Sequence, residues 1–459
     1  MRFWSNLHVS ECEIRPGPEF LLRSYTFMKN NSFRLLQHFY EDESCILPVY
    51  TVIAKGSLTL KESSWMTPSG TEFHYSLSRV TIIPHTTEAS EKLYREKKLK
   101  CFHGVRKTWK PHKEYVVYNN SEDVASGKTR RKYRGYTRRR KTNKNVDCLS
   151  AVGVTFNELM LIRTQWRPVD GNKRNRELLL GDMHSRRVLE YKPTAFQTPL
   201  LEVDHAHDCV NCRMVAKGTE RAPPHLISKP QLPPLPHGQW VSRRCEVRPL
   251  GMFLTRRLSF DSRDRSWMAE YKFHADPFCT ESSFAISSSG KYHIEPVHNK
   301  ERYVKRRKTG TNLDIHMDET FLTLYDPTLR DTFNAETNCG VGPWYLGIAK
   351  DLSPTSGCSI LGIKLPSTEF DLVNLEIDGK GTPLLFLGQQ DTDSSGRHVR
   401  PTSYQAPLAQ CSVFPQQNNF NNQFEPVPNA RSAPRSTGSY TSFSTCSTLF
   451  LLLALWLQY

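Results

Sequence analysis

Three catalytic signatures are missing from this chain. It has no Gly-x-Ser-x-Gly elbow, no glycine-rich phosphate loop and no His-Glu-x-x-His motif, so no enzyme is expected. Long apolar runs are also missing. Met1-Arg2-Phe3-Trp4 leads into the body of the chain without the apolar stretch of a signal peptide. The C-terminal run Leu449–Leu457 is nine apolar residues, too short to span a bilayer unless 443–448 join it. Acid is missing from one place in particular: Lys128–Lys144 holds ten Lys/Arg and no Asp or Glu. Of a net charge of +16, that segment leaves about +6 for everything else, so the charge describes a segment and not the protein.

What is present is repetition. Cys12-Glu13-Ile14-Arg15-Pro16 returns as Cys245-Glu246-Val247-Arg248-Pro249, and Phe20–Phe27 returns as Phe253–Phe260. Phe33 then meets Trp267, Cys45 meets Cys279, and Gly56 meets Gly290. Gly70-Thr71 recurs as Gly310-Thr311, Cys101 as Cys339, and Cys148 with Gly153 as Cys358 with Gly362. Pro193–Leu200 closes the first copy as Pro401–Leu408 closes the second. The chain is a tandem duplication, and each copy is long enough to bury a core.

Twelve cysteines follow that plan. Cys12, Cys45, Cys101, Cys148 and Cys209 match Cys245, Cys279, Cys339, Cys358 and Cys411, with Cys212 and Cys446 left over. Cysteines tied to a repeated plan read as a disulfide framework, hence an oxidising compartment. Five per copy is odd, so Cys209 or Cys212 is a candidate for pairing between copies; spacing assigns no connectivity. Asn30-Asn31-Ser32 and Asn119-Asn120-Ser121 are glycosylation candidates at Asn30 and Asn119. A secreted protein needs a leader, so the true start is expected upstream of Met1.

The pattern is mainly strand, with strands expected over Phe20–Phe27, Phe33–Tyr40 and Val49–Leu60. Later strands are expected over Val152–Arg163, Leu178–Gly181, Phe370–Ile377 and Leu384–Gly388. One short helix is expected per copy, over Thr87–Lys98 and over Thr328–Asn334 behind the Asp326-Pro327 cap. Leu21, Arg23, Tyr25 and Phe27 share one strand face, and Leu254, Arg256, Leu258 and Phe260 repeat it. An arginine at the same place in both is read first as a salt-bridged residue, with a ligand head group as the second reading.

Copy one carries 28 residues more than copy two between its third and fourth cysteines, 47 against 19, which locates a basic insertion at about 119–146. That insertion reads as a solvated loop, as a site for a heparan-type glycan, or as a nucleic-acid patch; the last conflicts with the cysteines, so no nucleic acid is expected. His205-x-His207-x-Cys209-x-x-Cys212 has zinc-ligand spacing. A disulfide-bearing loop is preferred, because Cys411 matches Cys209 without a histidine pair; no metal or cofactor is expected. Residues 1–212 form the first repeat domain, a proline-rich semi-rigid spacer fills 213–236, and the second domain covers 237–412. A disordered stalk over 413–448 and the apolar tail 449–459 complete the chain, the tail read as a lipid-anchor signal or a short transmembrane helix.

The duplicated Cys-Glu-[Ile/Val]-Arg-Pro opening, Asn30–Phe33, Gly70-Thr71-Glu72-Phe73, Leu361–Pro366 and the two Gln-x-Pro-Leu closings together resemble the adenomatosis polyposis coli down-regulated family. The resemblance covers about residues 9–412. It implies two tandem β-barrel-like domains and a plasma-membrane protein facing outward. It further implies inhibition of Wnt signalling upstream of β-catenin, through Wnt ligands and their low-density-lipoprotein-receptor-related co-receptor. A small barrel with an apolar interior can hold one acyl chain, at about 0.8 kcal/mol per buried methylene. Leu21, Arg23, Tyr25, Phe27, Leu254, Arg256, Leu258 and Phe260 are the pocket candidates, with ordinary core packing the better reading for each. Whether the chain forms a homo-oligomer is left open.

Overall fold

The computed structural model describes residues 5–63, 67, 70–97, 108–120, 146–149, 153–168, 173–184, 191–206, 209–227, 232–248, 252–295, 310–336, 339–378, 381–389 and 400–411. The chain divides into two compact units near residue 230. Each contains a closed barrel of eight antiparallel strands. In the first unit these are β1 (Ser5–His8), β2 (Glu19–Phe27), β3 (Ser32–Tyr40), β4 (Pro48–Ser63), β5 (Thr71–Pro84), β6 (Leu161–Pro168), β7 (Arg174–Leu180) and β8 (Leu200–Glu202). Consecutive strands pair in order, and β8 returns to β1, which abolishes the open sheet edge.

The second unit repeats this with β9 (Gly238–Ser242), β10 (Met252–Asp261), β11 (Ser266–His274), β12 (Ser282–Ile294), β13 (Thr311–Leu324), β14 (Ser367–Ile377), β15 (Pro383–Leu387) and β16 (Leu408–Gln410). Here β16 pairs with β9, which also pairs with β10, closing the ring. Mainly antiparallel hairpins and alternating apolar faces in the sequence therefore become two copies of one up-and-down barrel.

Register carries the alternation across strands. In the first barrel the inward rows are Leu21–Phe39–Tyr50, Arg23–Gln37–Val52–Ile82, Tyr25–Leu35–Ala54–Val80 and Phe27–Phe33–Gly56–Leu77. In the second they are Leu254–Phe273–Phe284–Leu324, Arg256–Tyr271–Ile286–Leu322, Leu258–Ala269–Ser288–Thr320 and Phe260–Trp267–Gly290–Met317. The matched glycines sit where β4 and β12 bulge, directly after Lys55 and after Ser289. A Cβ at Gly56 would lie 2.1 Å from the Ser76 carbonyl oxygen, and one at Gly290 2.0 Å from that of His316. Only glycine allows the backbones to approach so closely.

The expected helices are present as α1 (Thr87–Lys97) and α3 (Pro327–Glu336), with α2 (Val210–Ala216) between them in sequence. The Asp326 carboxylate caps α3, accepting the amides of Thr328 at 2.6 Å and Leu329 at 3.3 Å. Cys12 pairs with Cys45, Cys245 with Cys279 and Cys339 with Cys358. Asp42 and Asp276 fold the loops that hold Cys45 and Cys279 by accepting three backbone amides each, with both cysteines at positive φ. Cys148 is buried, Cys411 is also disulfide-bonded, and Cys101 lies outside the described residues.

Four sequence expectations need correction. Cys209 pairs with Cys212 inside one turn at the start of α2, and not with the other copy. It is no equivalent of Cys411, which directly follows β16, whereas Cys209 lies seven residues past β8. Of the strand expected over Val152–Arg163, the described residues 153–160 are not strand: a 3₁₀ turn over Asn157–Met160 delays β6 until Leu161. The segment 213–227 is no spacer, because α2 continues to Ala216 and Pro223, Pro224 and Leu226 are buried against the first barrel. Proline, having no amide to satisfy, can lie flat on a wall whose own donors are already paired. The boundary therefore moves from 212 to about 230, and Leu232 already packs in the second core.

Substituting Gly290→Ala should lower the denaturation free energy of the second barrel by about 1–3 kcal/mol, through overpacking. Hydrogen exchange resolved by domain should show the loss in β12 and β13, with the first barrel unchanged.

Candidate functional site

The repeated Cys-Glu-x-Arg opening forms a short rim strand in each barrel, Glu13–Arg15 beside the start of β2 and Glu246–Arg248 beside the start of β10. Glu13 stands opposite Leu21 and Glu246 opposite Leu254, so both carboxylates share the inward face. There they meet the repeated arginines. Arg23 donates twice to Glu13, from Nε and Nη2 at 2.6 Å each. Arg256 Nε donates to Glu246 at 2.9 Å, and its Nη2 donates to the Ala406 carbonyl at 2.7 Å. The salt-bridged reading of both arginines holds, and the disulfide one residue before each glutamate staples the rim strand in place.

The motif's own arginine reaches across the first barrel. Arg15 donates to Glu158 at 3.4 Å, and the same Glu158 Oε1 accepts from the Tyr25 hydroxyl at 2.9 Å and from Gln37 at 3.1 Å. Burial, with Glu158 beside it, pushes the Tyr25 phenol up to about 12. Burial opposes the charge on Arg23, but Glu13, Tyr25 and Glu158 outweigh it and hold the guanidinium above its ordinary value. In the second barrel Arg248 donates to Glu246 at 2.7 Å and to Gln405 at 2.6 Å. Burial would raise the Glu246 carboxyl, yet Arg256 and Arg248 bring it below the usual carboxylate range. Gln405 belongs to the Gln-x-Pro-Leu closing. Its amide donates to the Gly388 carbonyl at 2.6 Å, as Gln197 donates to Gly181 at 2.6 Å, so the opening and closing motifs meet at one end of the second barrel.

Above that shared frame the two interiors differ. The first core is one continuous cluster. Its rows are sealed by Phe39, Gln37, Val52 and Ile82, all buried. The second core splits in two, with Met317 packing against both parts. Its inward-facing Tyr271, Phe273, Phe284 and Ile286 are only half-buried, although the barrel is closed. The next row is lined by small side chains, Ala269, Ser288 and Thr320, where the first barrel has Leu35, Ala54 and Val80. The result is a partly exposed apolar inner wall, with Arg256, Glu246 and Asp371 grouped at one end. Burial pushes the Asp371 carboxyl up to about 7, with Glu369 adding to the rise, against amide donation from Leu372 and Gly388 and the charge of Arg256. An apolar wall with a polar end has the chemistry to meet a chain-like ligand bearing a polar head.

The eight pocket candidates do not divide along this difference. Leu21, Arg23, Tyr25 and Phe27, and likewise Leu254, Arg256, Leu258 and Phe260, are all at most 6% exposed. They are core, as the plainer reading had it. The exposed lining comes from β11 and β12, which alternation alone did not single out. Glu13 and Glu246 were visible in the repeated motif, but nothing in the sequence tied them to arginines ten residues on.

The remaining candidates are placed as follows. Asn30 is exposed at the β2–β3 hairpin, and Asn119 lies in the short strand Tyr115–Asn119. Asn119 faces Val146, so the two ends of the 119–146 insertion are paired; the basic run itself lies outside the described residues. His205 Nδ1 is 3.0 Å from a Glu202 carboxylate oxygen, and its ring stands edge-on to Trp166. With Cys209 and Cys212 bonded to each other, their sulfurs are not thiolate ligands for zinc.

The comparison with known families likewise returns a match in duplicate. The family model for adenomatosis polyposis coli down-regulated 1 matches residues 4–227 and again 226–419. This chain belongs to that family. The two family matches meet at 226–227, close to the structural boundary near residue 230 and well past the Cys212 limit expected from the sequence.

Removing one partner of a buried pair strands the other. Glu246→Ala should therefore cost the second barrel about 3–5 kcal/mol in a denaturant titration, with Glu246→Leu/Arg256→Met recovering much of it. Asp371 gives a pH signature. Its folded value lies above its unfolded one, so the folded state holds the extra proton between about pH 4 and 7, and stability should fall as pH rises through that window. Asp371→Asn should flatten that slope in thermal melts of the second barrel.

Proposed function

We propose that this chain is an extracellular, membrane-tethered negative regulator of Wnt/β-catenin signalling. It captures the Wnt ligand by its acyl chain in the lumen of the second barrel, and in that way keeps the ligand from its low-density-lipoprotein-receptor-related co-receptor. Family membership supports the pathway. The observation that carries the mechanism is the half-buried inward wall of Tyr271, Phe273, Phe284 and Ile286. A closed barrel normally fills its own interior, and apolar surface left reachable inside one is surface that a ligand can cover. Each methylene buried there contributes about 0.8 kcal/mol, so even half of an acyl chain supplies useful affinity. The disulfides agree with an oxidising, extracellular setting. Tethering is assigned to the C-terminal tail, by lipid anchor or transmembrane helix. Among the described residues no helix is long and apolar enough to cross a membrane, and the tail lies outside them.

A second reading, a glycan- or matrix-binding protein, rests on the ten basic residues of Lys128–Lys144. The strands that flank this run, Tyr115–Asn119 and Val146–Asp147, belong to the first unit, whereas the acyl-binding wall belongs to the second, so separate variants test the two readings. Purified ectodomain should bind lipidated Wnt at least about tenfold more tightly than enzymatically delipidated Wnt. Ser288→Trp, which fills the lumen, should remove that difference, whereas deleting 128–144 should leave it intact. Equal binding of the two Wnt forms contradicts acyl capture. Loss of all binding on deleting the insertion favours the glycan reading.

A further inference from the structure

The outer wall of the first barrel is covered by the segment that follows α2. Glu220 pairs with Arg34, the Tyr40 hydroxyl donates to the Pro224 carbonyl, and the Leu226 amide donates to the Cys45 carbonyl at 3.4 Å. Arg34, Leu36, His38 and Tyr40 alternate with the inward residues of β3, so the segment tracks the outer face of that strand from end to end.

Beneath it lies a chain of three polar side chains. His38 Nδ1 is 2.9 Å from Thr51 Oγ1, which is 2.7 Å from His85 Nε2. One hydroxyl links two neutral imidazoles by accepting from one ring and donating to the other. The outer nitrogens, His38 Nε2 and His85 Nδ1, have no partner among the described residues, so an added proton finds no acceptor among them. Burial lowers His38 to about 3 and His85 to about 4; His85 acts further on His38, and His112 on His85. Glu220 opposes the shift of His38; Arg34, Tyr40, Glu41, Arg221 and His225, with Lys55 and Arg79 from the neighbouring strands and Glu114 beside them, are the other charged and titratable groups facing the segment and the pair. Clefts of about 480 and 440 Å3 flank the segment, and the second exposes the His85 and His112 side, a route for protons from solvent.

The duplication supplies a control. In the second barrel the positions matching Arg34, Leu36 and His38 are Met268, Glu270 and Lys272, and Met268 is 41% exposed. That wall has neither the histidine pair nor the buried apolar strip of Leu36, Ile53 and Ile83.

We propose that residues 219–226 are an acid-released latch on the first barrel, held shut by neutral His38 and His85 and detached when they are protonated. The latched values lie below the ordinary one, so the latch is fully favoured above about pH 6.5 and weakens as pH falls toward 4. At pH 5 each histidine weights the released state by a factor of about 30, if release restores its ordinary value.

Hydrogen exchange by mass spectrometry on the full chain at pH 7.4 and pH 5, corrected for intrinsic rates, tests this. Protection over 217–227 should drop at least about tenfold at pH 5 while β2–β5 and the second barrel keep theirs. His38→Gln/His85→Gln should make protection of 217–227 independent of pH. Should that variant fold poorly, imidazole C2–H exchange in the unmodified chain should show both rings titrating well below pH 6. Equal protection at both pH values, a loss spread over the whole first barrel, or rings titrating near 6.5 would each overturn the latch.

Discussion

One carboxylate–guanidinium contact organises each half of this molecule. A glutamate on a rim strand meets an arginine on the following barrel strand, inside the ring and away from water. Neither charge tolerates burial alone, so the contact forces the rim strand to sit where it does. The neighbouring disulfide acts in the same sense by tethering the strand to the loop after β3 or β11. With the rim fixed, the register of β2 and β10 follows, and with it every inward row of the barrel. The buried pair is better understood as setting one register than as a net source of stability.

Gene duplication made the frame legible and left the differences hard to see. Strand alternation, the capped helices and the repeated cysteines gave the barrel architecture, because each depends on local periodicity or on chemistry written twice. The insertion at 119–146 was found by subtracting one copy from the other, and its ends are indeed paired. What escaped was set by contacts distant in sequence. Arg15 meets Glu158 across 143 residues, and no spacing announces that. Pro223 and Pro224 look like a linker by composition, yet they are buried, since composition reports stiffness and not the surface a stiff segment lies on. Cys209 was matched to Cys411 by order alone, and order ignored the nearer partner three residues on.

Two copies of one frame have then diverged in how they treat their walls. The first barrel seals its interior with Gln37, Val52 and Ile82 and covers its outer face with its own C-terminal segment. The second exposes Met268 where the first pairs Arg34 with that segment, and its inner wall is partly exposed around Tyr271, Phe273, Phe284 and Ile286. This division fits a protein in which one domain binds and the other is regulated or structural. It also explains why the candidate residues on β2 and β10, chosen because they repeat, proved to be the shared core. Features common to both copies hold the barrel together, and the proposed binding surface lies where the copies differ.

The most direct test is to show where an acyl chain goes. A palmitoyl probe carrying a photoactivatable diazirine, irradiated with the full chain and mapped by peptide mass spectrometry, should label β11 and β12 at Tyr271, Phe273, Phe284 or Ile286, and excess unlabelled fatty acid should compete. Labelling confined to the first barrel, or scattered without competition, would contradict the account.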